Sequence, residues 1–361
     1  MTEKKPTIVV ALSGGVDSAV VAANLVEQGY PVIGVMMHLW SEAGKECENK
    51  CCTPQAMEEA GKSARQLGIP FHTMDAAETF RKQIVQYFLD GYAEGKTPNP
   101  CVHCNKEMKW GLLFEKMKEL GGDYLATGHY VRRFVGDDGT VFLRRARDEK
   151  KDQSYVMCML TQQQLRHTLF PLGDYLKTEV REMAHKYDLP MAEKKDSQDL
   201  CFVSDHSYRD FLMRNAPQIG IPGPIYDRHG NRLGEHQGLA FYTIGQRKGI
   251  GLAAPEPLYV IEKNSPQNLL IVGTIDDLHQ KSIHTQGVNW LRGKAPKEPI
   301  RAEVKIRYKA EFQAATVIPE TNQMATIEFD EPVRDATPGQ FAVFYENDIL
   351  LGGGEITRTK Q

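Results

Sequence analysis

The chain predicts an α/β fold. An N-terminal doubly wound parallel sheet is followed by a small mixed, β-rich central domain and a C-terminal antiparallel domain of barrel type. Three observations carry this. Apolar runs of strand length alternate with amphipathic helical stretches up to about Cys201, the pattern of a parallel sheet crossed by helices. From about Tyr208 to Gly273 the runs are short and broken by Gly and Pro, as in Ile221-Pro222-Gly223-Pro224. From about Ser282 onward alternation dominates, as in Ala302-Glu303-Val304-Lys305-Ile306-Arg307-Tyr308 and Phe341-Ala342-Val343-Phe344-Tyr345, the signature of a half-buried antiparallel sheet.

In order, strands are expected over Thr7–Leu12, Val32–His38, Phe71–Asp75 and Tyr124–Thr127. Helices are expected over Ser18–Gln28, Pro54–Leu67, Thr79–Glu94, Lys109–Leu120, Gln162–Phe170 and Thr178–Tyr187. Ligands of such sheets sit beyond the carboxyl ends of the strands. Ser13, Met37, Asp75 and Gly128 fall at or just after strand ends and are expected to line one crevice.

A length of 361 residues suggests two or three domains, with expected bounds 1–207, 208–280 and 281–361. A hydrophobic share of 41% and a charged share of 25% are ordinary for a soluble protein. No apolar run reaches the roughly 20 residues of a membrane helix, and Met1–Pro6 has no apolar signal core, so a cytoplasmic protein is expected. A net charge of −3 excludes a uniformly basic nucleic-acid binder but allows a basic face.

Ser13-Gly14-Gly15-Val16-Asp17-Ser18 joins the first strand to the first helix. Glycines let backbone N–H groups approach phosphate oxygens, and a helix start adds partial positive charge. No Lys follows the glycines, so this is not the Gly-x-x-x-x-Gly-Lys loop. Asp17 is its sole carboxylate, either a Mg²⁺ ligand, since Mg²⁺ takes one or two carboxylates plus phosphate oxygens, or a helix cap.

Seven cysteines in a cytosolic chain point to metal, redox or catalytic roles before disulfides. Cys101-Val102-His103-Cys104 follows Thr97-Pro98-Asn99-Pro100, so its thiols lie on a loop or a helix start, where thiolate is favoured. Alone, the pair fits a redox dithiol, half a zinc site or two ligands of an iron–sulfur cluster. Cys201 is a third candidate, Cys158 reads as a buried packing thiol, and Cys47, Cys51 and Cys52 sit in a polar stretch with no assigned role.

The loop resembles that of the ATP pyrophosphatases, which split ATP between its α and β phosphates. Several motifs follow in order: Asn99-Pro100 with Cys104-Asn105-Lys106, Ala126-Thr127-Gly128-His129-Tyr130, Lys151-Asp152-Gln153-Ser154-Tyr155, Asp196-Ser197 with Cys201-Phe202, Gly234-Glu235-His236-Gln237-Gly238, Gly245-Gln246-Arg247-Lys248-Gly249 and Leu351-Gly352-Gly353-Gly354. Together they resemble the tRNA-specific 2-thiouridylases over nearly the whole chain, in the branch with paired cysteines, since many members have Asp where this chain has Cys101. The resemblance implies an adenine-nucleotide α-hydrolase-like first domain. The implied reaction is ATP-dependent adenylation of the C2 oxygen of the wobble uridine, U34, followed by sulfur transfer.

It also implies that Ala11, Leu12, Ser13, Gly14, Gly15, Val16, Asp17, Ser18, Met37 and Gly128 line the ATP site. Asn99, Pro100 and Cys101 would contact the target base, and His129, Lys151, Asp152, Gln153, Arg307, Tyr308 and Gln340 the tRNA. Arg307-Tyr308 pairs a phosphate binder with a stacking platform. A basic group, Arg132, Arg133, Arg144, Arg145, Arg147, Lys150 and Lys151, surrounds an expected hairpin. Partners implied are the anticodon arm of Lys-, Glu- or Gln-type tRNAs and a cysteine desulfurase or sulfur relay. For sulfur, the preferred expectation is a 4Fe–4S cluster on Cys101, Cys104 and Cys201 whose open iron binds hydrosulfide, because Cys101 has no part in the other scheme. That scheme has a Cys201 persulfide released through a Cys104–Cys201 disulfide. An RNA-binding module with an inactive nucleotide loop is the non-enzymatic alternative.

Overall fold

The computed structural model describes residues 4–42, 44, 53–194, 200–203 and 207–358. Its first sheet contains β1 (Ile8–Ala11), β2 (Val32–His38), β3 (Phe71–Asp75) and β4 (Tyr124–Ala126), with β5 (Val131–Val135) and β6 (Val141–Arg145) forming a separate hairpin and β7 (Thr168–Leu169) completing the sheet. All its pairings are parallel, in the order β3-β2-β1-β4-β7. The order reverses between β1 and β4, which opens a crevice beyond their carboxyl ends. β1 is central, and Ile8, Val9 and Val10 are wholly buried, so its unbroken apolar run is what a strand covered on both faces requires.

Helix α1 (Val16–Glu27) follows β1, and α2 (Pro54–Gln66) follows β2. α1, Lys177–Lys186 and α2 bury Val20, Val21, Val180, Ala184 and Ala60 in one cluster. The other face is covered by Trp110, Phe114, Leu165 and Phe170. Two helices depart from expectation. The one expected from Lys109 starts at Pro100, because Pro fits the first helical position and Asn99 caps it; the run passes through a π-helical segment, Cys104–Leu112, before Leu113–Glu119. The one expected over Gln162–Phe170 ends at Arg166, and Thr168 and Leu169 pair with Leu125 and Ala126 as the fifth strand.

The central sheet, β8 (Gly223–Asp227), β9 (Arg232–His236), β10 (Tyr259–Asn264) and β11 (Leu269–Gly273), runs in the order β10-β11-β8-β9. Its Ile225, Val260 and Leu270 share an apolar cluster with Phe80, Phe88, Phe202 and Phe211 of the first domain and its extension.

The last sheet contains β12 (His279–Trp290), β13 (Ile300–Lys305), β14 (Gln313–Pro319), β15 (Ala325–Arg334), β16 (Phe341–Glu346) and β17 (Ile349–Ile356). The order β12-β15-β14-β13-β16-β17 closes through β12–β17 into a six-stranded antiparallel barrel. The β5–β6 hairpin joins the same sheet through Ile349↔Arg144 and Leu350↔Leu143. The first domain therefore lends two strands to the barrel's sheet, a junction that local alternation alone does not reveal.

Leu143 and Leu350 are 0% and 1% exposed at this junction. Leu350→Ala is expected to lower stability by about 2–5 kcal/mol in denaturant unfolding. A loss below about 1 kcal/mol would show that the junction carries little of the fold's stability.

Candidate active site at the strand switch point

The Ser13–Ser18 loop sits at the reversal between β1 and β4. Gly14 has φ +69°, and a Cβ there would lie 2.5 Å from the Ala56 carbonyl oxygen, so both backbone and space demand glycine. Ser13 N–H donates to Ser18 Oγ at 3.2 Å, and Ser18 Oγ donates to Gly15 O at 3.1 Å, which curls the loop around the start of α1. Gly15 is the N-cap and offers no side-chain cap. The first-turn N–H groups thus present the partial positive charge expected of an anion site. Gly128, just after β4, leaves no room for a side chain: a Cβ would sit 3.0 Å from Asp17 Cβ and Ser18 N. Leu12 and Val16 are buried beneath the loop, Ala11 is half-buried, and Met37 packs between two apolar clusters at the end of β2. The nucleotide-site candidates therefore gather around one crevice.

Asp17 does not cap the helix. Its Oδ1 accepts from Lys177 Nζ at 2.6 Å and from Tyr130 OH at 2.9 Å. Lys194 Nζ donates to Gly14 O at 3.1 Å and pairs with Glu59 Oε2 at 2.6 Å. Motif reading gave Lys177 and Lys194 no role, and quoted Tyr130 without one; they lie 113 to 180 residues from their loop partners, and no local spacing marks such contacts. As the loop's single carboxylate, Asp17 fits a hard cation that draws its remaining ligands from water and phosphate.

The second constellation lies on the helix that starts at Pro100. Asn99 and Pro100 are buried, and Asn99 Oδ1 accepts from Val102 N–H at 3.3 Å, so this pair holds the turn together; Cys101 is exposed. Gln340 Nε2 donates to Thr97 O at 2.8 Å, and Thr97 N–H donates to Pro338 O at 2.9 Å. The barrel loop thus clamps the approach to Cys101. His103 stacks on Tyr87 with ring centroids 3.7 Å apart, and burial, aided by Lys106, pulls its pKa down to about 4. A neutral His103 lends no positive charge to the neighbouring thiols.

Cys104 and Cys201 are half-buried and pack against the same apolar cluster. Cys101 stands outside that cluster, toward Tyr308 of the barrel. Among the described residues no group of three His, Cys, Asp or Glu side chains is gathered to hold a metal, so the three-thiolate cluster expectation, whose ligands must converge on one cube, finds no support here. Cys158 is wholly buried, as expected of a packing thiol. Asp196 and Ser197, with Cys47, Cys51 and Cys52, lie outside the described residues.

Several tRNA-contact candidates brace the fold. His129 is 9% exposed, bonded to Thr127 Oγ1 at 2.8 Å and Lys109 Nζ at 3.0 Å, and burial holds its pKa well below the usual value, so it sits in the core rather than on a surface. Asp152 accepts from the N–H groups of Ala146 and Ser154, and Gln153 Oε1 accepts from Tyr130 N–H at 3.0 Å. Lys151, beside them, is half-buried. Arg307 Nη2 donates to Ile244 O at 3.2 Å and to Asp335 O and Thr337 Oγ1, tying barrel to central domain. Tyr308 OH donates to Asp152 O at 3.0 Å while the residue stays 37% exposed, so it is the member of this pair open to stacking. The basic group is largely committed: Arg132 pairs with Asp348 at 2.7 Å, Arg133 Nε donates to Leu165 O at 3.2 Å, Arg147 pairs with Glu179 at 3.1 Å, and Arg144 and Arg145 lie over the Phe134 and Phe312 rings. Lys150 remains exposed.

Because folded His103 and His129 resist protonation, the unfolded chain binds more protons as pH falls below the ordinary histidine value of 6.5. Stability is therefore expected to fall from pH 6.5 toward 4, and His103→Asn should flatten that slope in denaturant titrations. An unchanged slope would refute the assignment. Gly14→Ala is expected to cost more than about 1 kcal/mol, read as a lowered Tm.

Comparison with known proteins agrees with this geometry. A family model described as the tRNA methyl transferase HUP domain matches residues 6–205, one described as the tRNA methyl transferase PRC-barrel domain matches 209–274, and one described as the aminomethyltransferase β-barrel domain matches 280–356. A tRNA-specific 2-thiouridylase of Moorella thermoacetica is 46% identical over 98% of this chain and 99% of its own length. Those of Caldanaerobacter subterraneus subsp. tengcongensis and Clostridium perfringens are 44% and 41% identical over 97% and 99% of the chain, and 98% and 99% of their own lengths. Full-length identity at this level means that the chain belongs to the tRNA-specific 2-thiouridylase family.

Proposed function

We propose that this protein is a tRNA-uridine 2-sulfurtransferase that converts the wobble uridine to 2-thiouridine and splits ATP to AMP and pyrophosphate. The observation that carries this is the pairing of an uncapped Ser/Gly loop at the β1–β4 switch point with Cys104 and Cys201 on one apolar cluster. Methyl transfer, which two of the family-model descriptions name, has no use for both features.

A uracil C2 carbonyl is a poor electrophile. Transfer of the adenylyl group to its oxygen makes that oxygen part of AMP, a good leaving group, while pyrophosphate departs toward the loop. The α1 N-terminus favours the charge that develops there. Mg²⁺ bound through Asp17 would draw further charge from the phosphates.

The sulfur half follows from the two half-buried thiols. Cys201 receives a sulfur atom as a persulfide, from a cysteine desulfurase or a relay protein. The terminal sulfur adds to C2, and AMP leaves with the former carbonyl oxygen. The Cys104 thiolate then attacks Cys201 Sγ. The old S–S bond breaks, its electron pair stays on the sulfur now attached to C2, and a Cys104–Cys201 disulfide forms. A thiol reductant supplies the two electrons that reopen it. Cys101, on the exposed side toward Tyr308, serves tRNA contact in this scheme. The base must leave its stack to be reached, and Tyr308 offers a ring to the strand on that side. The substrates are tRNAs of the Lys, Glu or Gln type, and the reaction takes place in the cytoplasm.

Cys104→Ser and Cys201→Ser should each abolish thiolation while tRNA-dependent pyrophosphate release persists. Cys101→Ser should retain thiolation. Loss of activity in Cys101→Ser, with stoichiometric iron and labile sulfide in anaerobic protein, would reinstate the cluster scheme. Unchanged thiolation in all three variants would sink both.

A further inference from the structure

Lys109 joins the helix that carries the thiols to the end of β4. It lies on the π-helical segment Cys104–Leu112, about one π turn beyond Cys104. Its Nζ is 3.0 Å from His129 Nε2, and His129 Nδ1 is 2.8 Å from Thr127 Oγ1. An ammonium only donates, so Nε2 accepts, while Nδ1 carries the ring proton and donates to Thr127. Gly128, between Thr127 and His129, lies against Asp17 and Ser18 of the loop. Among the described residues Lys109 has no carboxylate partner. A carboxylate would cancel its charge, whereas a neutral imidazole aims the ammonium and leaves the charge whole. Burial, aided by Lys109 itself, keeps His129 neutral, and the Trp110 ring, 5.6 Å away between centroids, holds the imidazole in place. A half-buried ammonium without a counter-charge loses hydration and gains no ion pair in return, which suits a group that waits for an anion.

We propose that Lys109 is a catalytic residue of the adenylation step, the cation that meets the reacting phosphorus centre while the uracil C2 oxygen attacks it. The loop receives the departing pyrophosphate. The reacting centre must lie between the loop and the thiols, because the carbon it activates is the one sulfur later reaches. The Lys109 ammonium, on the thiol-bearing helix and beside Gly128, stands on that line. In the step, a bond forms from the C2 oxygen to the α phosphorus. The bond from that phosphorus to its bridging oxygen breaks, and pyrophosphate leaves with the electron pair. The uracil N3 proton passes to water, and Lys109 keeps its own. Charge that builds on the outer oxygens of the crowded phosphorus meets a cation already in place, so no reorganisation is needed at the moment of reaction. When sulfur displaces AMP, the same ammonium faces the further negative charge that AMP gains. His129 and Thr127 are positioning residues, acting through Lys109.

The inference rests on the reading that this chain adenylates a uridine of tRNA, and the test separates the two. Single-turnover pyrophosphate release with ATP and tRNA is measured on the full chain for the wild type, Lys109→Gln, Lys109→Met and Lys109→Arg. Equilibrium binding of ATP and of tRNA, and Tm, are measured beside it. Lys109→Gln keeps an N–H donor for His129 and removes only the charge. It should hold wild-type Tm and affinities while pyrophosphate release slows at least about a hundredfold, the scale of one lost transition-state donor. Lys109→Met should slow as much, and Lys109→Arg should recover part of the rate. A wild-type rate in Lys109→Gln overturns the proposal, as does a slowing matched by an equal loss of ATP or tRNA affinity. Loss of the fold in both Lys109→Gln and Lys109→Met would make Lys109 a packing residue and overturn it too. A wild-type chain that releases no pyrophosphate with ATP and tRNA overturns the adenylation reading itself.

Discussion

The parallel pairing of β1 between β2 and β4 is the constraint on which the rest depends. Val9 and Val10 face opposite clusters, so β1 is packed on both faces and its position between β2 and β4 is fixed by the core on each side. With that register held, the chain leaves β1 at Leu12 and must turn at Gly14, and α1 begins where β4 ends. Gly128 can then lie against Asp17 and Ser18. The same packing brings Tyr130 and Lys177 to the Asp17 carboxylate. The nucleotide site is thus a consequence of how one buried strand is covered.

A second dependence links the barrel to the chemistry. Arg307 ties Thr337 and Asp335 to the central domain, and Gln340 and Pro338 grip Thr97, which leads to the helix carrying Cys101 and Cys104. The barrel and central domain therefore do more than widen a surface: they hold the turn that presents the thiols. Two residues that family resemblance assigns to tRNA contact, Gln340 and Arg307, brace these junctions. Disturbing them would reach the substrate through the position of the Thr97–Cys101 turn.

Much of this was legible in the sequence, for physical reasons. Strand and helix periods, the Ser/Gly turn and the Cys-x-x-Cys spacing are local, and local signals survive in a linear reading. The cysteine expectation turned on three-dimensional convergence, which spacing does not carry. Spacing made Cys101 and Cys104 look equivalent, whereas the helix turns Cys104 toward the apolar cluster and leaves Cys101 exposed. The Arg and Lys run was likewise visible, but its ion pairs with Asp348 and Glu179 were not.

By itself the sequence determined the class of fold, the anion-binding turn and the pair of sulfur chemistries available to its cysteines. Only the tertiary structure decided that Lys177, Tyr130 and Lys194 serve the loop, that the β5–β6 hairpin belongs to the barrel's sheet, and that Cys104 and Cys201 share one cluster without Cys101. The reason is that backbone conformation and amphipathicity are written within a few residues. Charge pairing depends on side chains that meet across more than a hundred residues, and which ones meet is set by the packing of the whole core.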